Sequence, residues 1–493
     1  MGKRIDSNKS VESNIKKSLT ALLIAFVFLG AYFCYALLFY GDRWFANAYN
    51  PRVSLDAWEP KVVPGDIKDR KGKLLATTIK ERRKNPDTNE KQSYYYRSYS
   101  GGHKEAASLS HVVGFNNPRY GRSGVEALQI RYLMGYNNPI YERIYQKVFL
   151  SEEVGNALHL TIDTDLSKYI DSLLGSHKGS AVVMNAQTGE VLAMVSHPTF
   201  NPNNLDGGLT GDVLVNRATE GLYAPGSIFK IIVAATALDN IEDVLDYSFE
   251  CHGQITIGNH SISCSEGKAH GQVDLARALE VSCNGYFAEL AIRLGGEKLI
   301  KTGETFGFNQ DFIFPDLKLV ASRLGIKANT DDKGLALSAI GQGNVRVTPL
   351  HMAMVASAIA NDGVMMEPKL VYEVVGRTGK TQKQLQPSIY RKSMGEENAS
   401  IMQDILQTAV FQGTGKAAAV KGRQVAGKTG TAEILDKESN IRNNAWFIGY
   451  MFGEKSKIAV AVVLEDVDPG QTGGKAAAPL AGKIFKKAID LGY

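Results

Sequence analysis

One short segment carries a serine and a lysine whose spacing suits nucleophilic catalysis. In the run LYAPGSIFKIIVAATALDN, Pro225-Gly226 makes a turn and a helix starts at Ser227, so Ser227 and Lys230 share one helical face. A serine hydroxyl needs a nearby base near neutral pH. A lysine amine in a partly dry pocket has a lowered pKa and can serve, while the helix N-terminus favours a developing alkoxide. Alone, this spacing is common and decides nothing.

A second triplet supplies proton transfer and peptide recognition. Ser282-Cys283-Asn284 stands in a segment that reads as a helix, ALEVSCNGYFAELAIRLG. A second serine can relay a proton between a lysine and a leaving amine, and an amide side chain can hydrogen-bond a peptide substrate. The triplet therefore makes Ser282 a candidate for proton transfer and Asn284 a candidate for substrate binding.

A third element lies near the end of the chain. Lys428, Thr429, Gly430 and Thr431 follow the run QVAG and precede AEI, which is typical of an edge strand. There the lysine adds positive potential, the threonines can bind a substrate carboxylate, and Gly430 lets the substrate approach the backbone.

The letters Lys-Thr-Gly also occur at 301–303, within GGEKLIKTGETFGF. This segment reads as a helix end and a loop, with no strand around it. We therefore predict no catalytic role for it.

The surrounding elements predict an α+β domain. The run KGSAVVMNAQTGEVLAMVSHP reads as a hairpin, and AWFIGYMF with KIAVAVVLED reads as another near the end. Helices lie between them, and LAGKIFKKAIDLGY is an amphipathic final helix. Strands at both ends with helices between them predict one antiparallel sheet covered by helices.

Composition and the N-terminus bound the class of protein. The 493 residues are 44% hydrophobic and 22% charged, with a net charge of +5 and no concentrated basic face, which argues against nucleic-acid binding. Residues 18–41 carry no charge, and a helix of that length can cross a bilayer. Basic residues precede it, so the N-terminus is expected in the cytoplasm and the rest outside: Lys3, Arg4, Lys9, Lys16 and Lys17. An uncleaved single-pass anchor is favoured over a signal peptide because the apolar run is too long.

Four regions follow from this pattern. Residues 1–17 form a cytoplasmic tail, 18–41 the anchor, 42–150 a small extended module and 151–493 the α+β domain. The extended module holds turn signals, a tyrosine cluster and few long apolar periods.

The cysteines do not form a recognisable framework. Cys251 and Cys264 flank a hairpin-like stretch with histidines nearby, so either a disulfide, two free thiols or zinc fits this region. With no Cys-x-x-Cys spacing, a disulfide or free thiols are favoured over a metal, and no cofactor is expected.

The three motifs, in this order, resemble those of the penicillin-binding proteins and serine β-lactamases. GDIKDRKGKLLATT is similar to the strand pair after the anchor in class B penicillin-binding proteins, and HVVGFNNPRYGRSGVEALQIRYLMG to their pedestal motif. VMNAQTGEVLAMVSHPTFNPN and ALSAIGQGNVRVTPLHMAMVASAIANDG match segments of the same family. The resemblance covers the chain from about residue 60 to the end, and 42–150 would be a short pedestal.

The resemblance implies a peptidoglycan D,D-transpeptidase with roles in cell-wall synthesis, cell shape or cell division. Ser227 would attack the D-Ala-D-Ala carbonyl of a stem peptide, with Lys230 as general base. Ser282 and Lys428 would carry the proton to the leaving group, and Asn284 would hold the peptide. β-Lactams would acylate Ser227, and glycan polymerisation would come from a polytopic membrane polymerase.

Alternatives within the fold are a D,D-carboxypeptidase and a β-lactamase or β-lactam sensor, although no convincing Glu-x-x-x-Asn loop for a deacylating water is found. An alternative of another class is a non-catalytic scaffold for the polymerase. The motifs do not separate elongation, division and sporulation.

Overall fold

A long N-terminal helix precedes a region of short strands and helices, and a mixed α+β region completes the chain. The computed structural model describes residues 3–39, 57–58, 62–150, 152–206, 211–436 and 438–493. The helices are α1 (Lys3–Phe39), α2 (Gly102–Ser108), α3 (Ser110–Val113), α4 (Gly124–Leu128), α5 (Ile130–Leu133), α6 (Ile140–Phe149), α7 (Thr164–Leu174), α8 (Lys230–Asn240), α9 (Leu275–Glu280), α10 (Asn284–Thr305), α11 (Asp332–Ala339), α12 (Pro349–Ala360), α13 (Glu396–Phe411) and α14 (Ala478–Asp490).

The strands form two larger sheets and several two-stranded pairs. They are β1 (Ala57–Trp58), β2 (Val62–Val63), β3 (Ile67–Lys68), β4 (Leu74–Lys84), β5 (Lys91–Tyr99), β6 (Asn116–Asn117), β7 (Gly121–Arg122), β8 (Glu153–Val154), β9 (Ala157–Leu160), β10 (Gly179–Asn185), β11 (Val191–His197), β12 (Phe249–Cys251), β13 (Gln254–Ile257), β14 (His260–Ser263), β15 (Gly271–Val273), β16 (Val364–Met366), β17 (Val371–Val375), β18 (Thr381–Gln384), β19 (Ile389–Lys392), β20 (Val425–Leu435), β21 (Ile441–Phe452) and β22 (Lys457–Val467).

A five-stranded antiparallel sheet is the centre of the second half of the chain. Its order is β11-β10-β22-β21-β20, so β20 lies at an edge. Successive side chains of a strand point to opposite faces. Val182 therefore packs in one core with Val355 of α12, and Val183 packs in the other with Phe485 of α14. The sheet is covered by helices on both faces, which confirms the α+β prediction and its two hairpins.

A seven-stranded sheet joins the predicted pedestal to the rest of the chain. Its order is β1-β5-β4-β3-β9-β17-β18, so strands before residue 100 share a sheet with strands near residues 160 and 375. The predicted tyrosine cluster lies on β5. Arg97 of this strand forms an ion pair with Glu126, Nε to Oε1 2.6 Å, and both side chains are fully buried. Such a pair ties the sheet to the helices of the pedestal, since loss of either partner would leave a buried charge.

The N-terminal helix is long and apolar enough to cross a membrane. The segment Val11–Ala36 has a mean hydropathy of 2.1. The helix begins earlier than the predicted anchor at 18–41, since α1 starts at Lys3, and residues 40 and 41 lie outside the described residues.

Candidate active site

The nucleophile candidate lies on a tight turn before α8. Gly226–Phe229 form a 3-10 helix, and the α-helix begins only at Lys230. The helix predicted to start at Ser227 therefore begins one residue earlier as a 3-10 turn and becomes α-helical at Lys230. Gly226 has φ +57°, a value that favours glycine, and a Cβ there would lie 2.4 Å from the Thr431 carbonyl oxygen. The turn is thus pressed against β20, and Ser227 stays half-buried.

The helix predicted for the Ser-x-Asn segment is interrupted: Ser282 and Cys283 lie in a loop, and Asn284 is the first residue of α10. The loop separates α9, which ends at Glu280, from α10, which begins at Asn284. Ser282 has φ +59°, in the left-handed region that few residues other than glycine adopt. Cys283 caps α10 by accepting a hydrogen bond from the Tyr286 N–H at 3.5 Å. The break turns Ser282 and Asn284 toward the same lysine.

That lysine, Lys230, is the hub of the site. Its Nζ donates to Ser282 O at 2.8 Å, Ser282 Oγ at 3.2 Å and Asn284 Oδ1 at 2.6 Å. It also lies 5.5 Å from the centre of the Phe287 ring. The side chain is completely buried. Lys230 and the Ser-x-Asn triplet are therefore in direct contact.

The environment of Lys230 favours its neutral form. Burial lowers its pKa from 10.5 to about 7, and the nearby thiols of Cys283 and Cys264 oppose this only in part. An amine with such a pKa can accept a proton near neutral pH. Within the described residues, the Ser227 hydroxyl is not among the hydrogen-bond partners of Lys230. Catalytic hydrogen bonds often tighten only when substrate is bound.

Lys428 brings a second buried amine into the pocket. It is completely buried on β20, and its Nζ donates to the Thr429 carbonyl at 3.2 Å. Burial lowers its pKa well below the usual value, and the charge of Lys230 lowers it further. In the described part of the chain, neither lysine forms an ion pair with a carboxylate. A proton taken up by either amine therefore meets no carboxylate partner among the described residues of the pocket.

The Lys-Thr-Gly strand lies against the nucleophile's turn. A Cβ at Gly430 would lie 2.6 Å from the Pro225 carbonyl oxygen, so only glycine permits this approach. Thr429 Oγ1 and Thr414 Oγ1 lie 2.7 Å apart, and Thr431 Oγ1 accepts from the Gly473 N–H at 3.1 Å. As predicted, β20 is an edge strand that contacts the nucleophile's turn.

Comparison with known proteins identifies the family to which this domain belongs. Residues 179–486 match the family model described as the penicillin binding protein transpeptidase domain. The chain belongs to the penicillin-binding protein transpeptidase family.

Relatives and solved structures agree with that membership. The peptidoglycan D,D-transpeptidase PbpA of Mycolicibacterium smegmatis is 28% identical over 97% of this chain and 99% of its own length. Stage V sporulation protein D of Bacillus subtilis is 31% identical over 68% of this chain, which spans 54% of that longer protein. The structure of penicillin-binding protein A from M. tuberculosis as a ceftriaxone acyl-enzyme complex superposes with a TM-score of 0.76 at 26% identity, covering 86% of this chain and 98% of that one. The predictions of a class B penicillin-binding protein, of its fold and of serine D,D-transpeptidase activity are confirmed.

Some contacts of this penicillin-binding protein were not singled out from the sequence. Phe287 lies one helical turn after Asn284, so its place beside Lys230 was readable from helical spacing. Thr414 carried no such signal, because a loop brings it to β20. The earlier Lys-Thr-Gly at 301–303 lies inside α10, as expected of a segment outside the site.

Proposed function

We propose that Ser227 is the nucleophile of this D,D-transpeptidase and that Lys230 is its general base. The Ser227 oxygen attacks the carbonyl carbon between the two D-alanines of a stem peptide, and the hydroxyl proton passes to the neutral Lys230 amine. The observation that carries this assignment is a fully buried Lys230, three residues after Ser227, with a pKa of about 7.

The leaving group needs a proton, and Ser282 is arranged to deliver one. Lys230 is hydrogen-bonded to Ser282 Oγ, so the proton taken from Ser227 can move to Ser282 and on to the amine of the departing D-alanine. Lys428 supports this transfer by its positive potential. The C–N bond breaks, free D-alanine leaves, and an ester between Ser227 and the stem peptide remains.

Substrate binding falls to the edge strand and the opposing amide. We assign the peptide amide to Asn284 and the terminal carboxylate to Thr429 and Thr431, with close backbone approach at Gly430. The N–H groups of Ser227 and Thr431 form the oxyanion hole. The amine of a neighbouring stem peptide then attacks the ester, which completes the cross-link and frees Ser227.

A labelling experiment tests the nucleophile. Fluorescent penicillin should acylate the wild type and leave Ser227→Ala unlabelled, while Thr414→Ser retains labelling. Rapid loss of label from the wild type would instead indicate a β-lactamase. Labelling of Ser227→Ala at the wild-type rate would overturn the assignment. Mass spectrometry of products with and without an acceptor amine separates transpeptidation from D,D-carboxypeptidase activity.

We also propose that the chain is anchored by α1 with its N-terminus in the cytoplasm and acts outside the membrane, with residues 42–150 as the pedestal and 151–493 as the transpeptidase domain. The basic residues before the apolar run support this orientation. A reporter that fluoresces only in the cytoplasm should be active when fused before residue 3 and inactive when fused after residue 493. The reverse result would contradict the orientation.

A polytopic glycan polymerase is the proposed partner of the pedestal, and the exposed face of α6 is its proposed binding surface. The polar side of α6 faces the protein: Glu142 Oε2 accepts from Gln382 at 2.9 Å, and Gln146 Oε1 accepts from the Val154 N–H at 3.2 Å. Its apolar side is exposed over six residues: Ile140, Tyr141, Ile144, Tyr145, Val148 and Phe149. An apolar stripe of this kind marks an interaction site.

Co-purification tests the partner. The wild type should retain a membrane polymerase in mild detergent, and Tyr145→Glu should lose it while β-lactam acylation stays intact. Ile313→Glu is the matched control, since Ile313 is 91% exposed on another part of the surface. Equal recovery of the polymerase with both variants would contradict the assignment to α6.

A further inference from the structure

Four soft metal-ligand groups meet beside the Ser-x-Asn loop. Cys251 ends β12, Cys264 follows β14, His270 precedes β15, and Cys283 lies at the start of α10. The three cysteines are at most 3% exposed, and their thiols are free. One ligand atom from each of the four residues lies within 4.8 Å of all the others.

Three of the six separations within this cluster match the edges of a coordination tetrahedron. With metal–sulfur bonds of about 2.3 Å, two sulfurs on a tetrahedral zinc lie about 3.8 Å apart, and a sulfur and a nitrogen slightly less. The observed distances are 3.7 Å between the sulfurs of Cys251 and Cys264 and 3.9 Å between those of Cys264 and Cys283. Cys251 Sγ lies 3.4 Å from His270 Nδ1. A disulfide between Cys251 and Cys264 is not formed at this separation.

We propose that Cys251, Cys264, His270 and Cys283 bind one zinc ion as a closed structural site. Three thiolates and one imidazole make a common structural zinc set, and four protein ligands leave no position for water. Soft sulfur donors select zinc over magnesium or calcium. This replaces the sequence-based preference for a disulfide or free thiols, which rested on the missing Cys-x-x-Cys spacing. The ligands are instead brought together by the fold.

A zinc ion at this position would stabilise a region of short, poorly covered strands. Strands β12 and β15 are three residues each and place Cys251 opposite Gly271. The β13–β14 hairpin between the first two ligands is largely exposed. Short strands with little apolar cover are weakly held by packing alone. Zinc would join both strand pairs to the first turn of α10.

The ion would also position the reaction's second motif, a role that rests on the proposed function. Cys283 lies between Ser282 and Asn284, which both contact Lys230. Asn284 Nδ2 donates to the Ser263 carbonyl at 2.7 Å, and Ser263 precedes the ligand Cys264. Two ligands thus fix the loop from both sides and hold Ser282 in its left-handed backbone conformation. Cys283 is therefore a positioning residue for the reaction.

Metal analysis of the full-length protein in detergent tests the site. The protein purified under reducing conditions without chelator should carry about one zinc per chain, the number that a single four-ligand site holds. Cys264→Ser and His270→Ala should lose most of it. His252→Ala is the matched control, because His252 is exposed beside Cys251 and is not among the four ligands. Ser227→Ala should keep its zinc, so the metal site is tested separately from the catalytic assignment.

Cobalt replacement gives a readout that does not depend on variants or on activity. Exchange of the metal for Co²⁺ should produce a strong thiolate-to-cobalt charge-transfer band and the visible bands of a tetrahedral ion. The site would be overturned if the wild type carried no zinc as purified and developed no such bands with Co²⁺. Undiminished zinc in both Cys264→Ser and His270→Ala would overturn this set of ligands.

The positioning role has its own measurement. Removal of zinc should slow acylation by fluorescent penicillin by up to about 100-fold, since small displacements of catalytic groups have effects of that size. Added zinc should restore the rate, and the control His252→Ala should respond as the wild type does. An acylation rate unaffected by zinc removal would contradict the positioning role and leave the metal site standing on its stoichiometry.

Discussion

The two walls of the active site are held in different ways. The Lys-Thr-Gly wall is β20, which is paired with β21 along its whole length and backed by an apolar core. The Ser-x-Asn wall is the loop between α9 and α10, with a left-handed serine, and the strands packed beside it have only three or four residues. A regular sheet positions one wall by many backbone hydrogen bonds, whereas the other depends on a few side chains. Catalysis should therefore be sensitive to packing at β20, and to the loss of single side chains, including the proposed zinc ligands, at the Ser-x-Asn loop.

The largest effect should come from removing the amine that joins both walls. Lys230→Met keeps most of the side-chain volume but has no base and no donor for Ser282, so acylation should fall about a thousandfold. The thermal midpoint should fall modestly, because the apolar side chain fills the same volume but leaves the acceptors on Ser282 and Asn284 without their donor. Stopped-flow acylation and calorimetry measure both. Retention of more than a tenth of the rate would mean that another group is the base.

A clash on the sheet wall should have a smaller effect, which separates packing from chemistry. Gly430→Ala places a Cβ 2.6 Å from the Pro225 carbonyl oxygen and so pushes β20 away from the nucleophile. We expect acylation to slow by up to about 100-fold and stability to fall by about 1–3 kcal/mol. Gly470→Ala is the control, since a Cβ there meets nothing within 4 Å. If both variants behave alike, the close approach at Gly430 is unimportant.

The pH dependence of acylation tests whether burial makes Lys230 a base near neutral pH. The proposed base is the neutral form of Lys230, whose pKa is about 7, so the rate should rise roughly tenfold from pH 6 to pH 8 and then level off. The titratable groups near it are Lys428 on β20, whose own pKa is lowered by burial and by the charge of Lys230, and the thiols of Cys264 and Cys283, which raise the pKa of Lys230. A profile that is flat across this range would contradict a general base of this kind.

The smallest effect is expected where the motif letters occur without the strand. Lys301→Ala alters the Lys-Thr-Gly inside α10, where the lysine is exposed. Acylation and the thermal midpoint should match the wild type, since exposed helix positions tolerate alanine within about 0.5 kcal/mol. Slower acylation would show that the strand setting is not what distinguishes residues 428–431.

The sheet wall was predictable from the sequence because long apolar runs mark its strands. The hairpins at 179–197 and 441–467 and the edge position of Lys428 follow from such runs and their turn residues. The final amphipathic helix, α14, follows from the same kind of periodicity.

The loop wall was not predictable in the same detail. The run ALEVSCNGYFAEL has continuous helical character, yet the chain breaks at 281–283 and Ser282 takes a positive φ. That conformation is stabilised by the long-range contacts of Ser282 with Lys230 and by the buried position of the next residue, Cys283. The four sulfur and nitrogen groups are likewise gathered from positions that are 6 to 32 residues apart along the chain, by strand pairing that local patterns do not encode. Tertiary contacts decide this half of the site.

The two buried lysines that lack a carboxylate partner also determine how the resting enzyme responds to its surroundings. When either amine takes up a proton, the desolvated pocket attracts small tetrahedral and planar oxyanions from the medium. Sulfate and phosphate should therefore compete with the carboxylate end of donor peptides and of β-lactams. Apparent acylation constants are then comparable between preparations only when the ionic composition of the assay is matched.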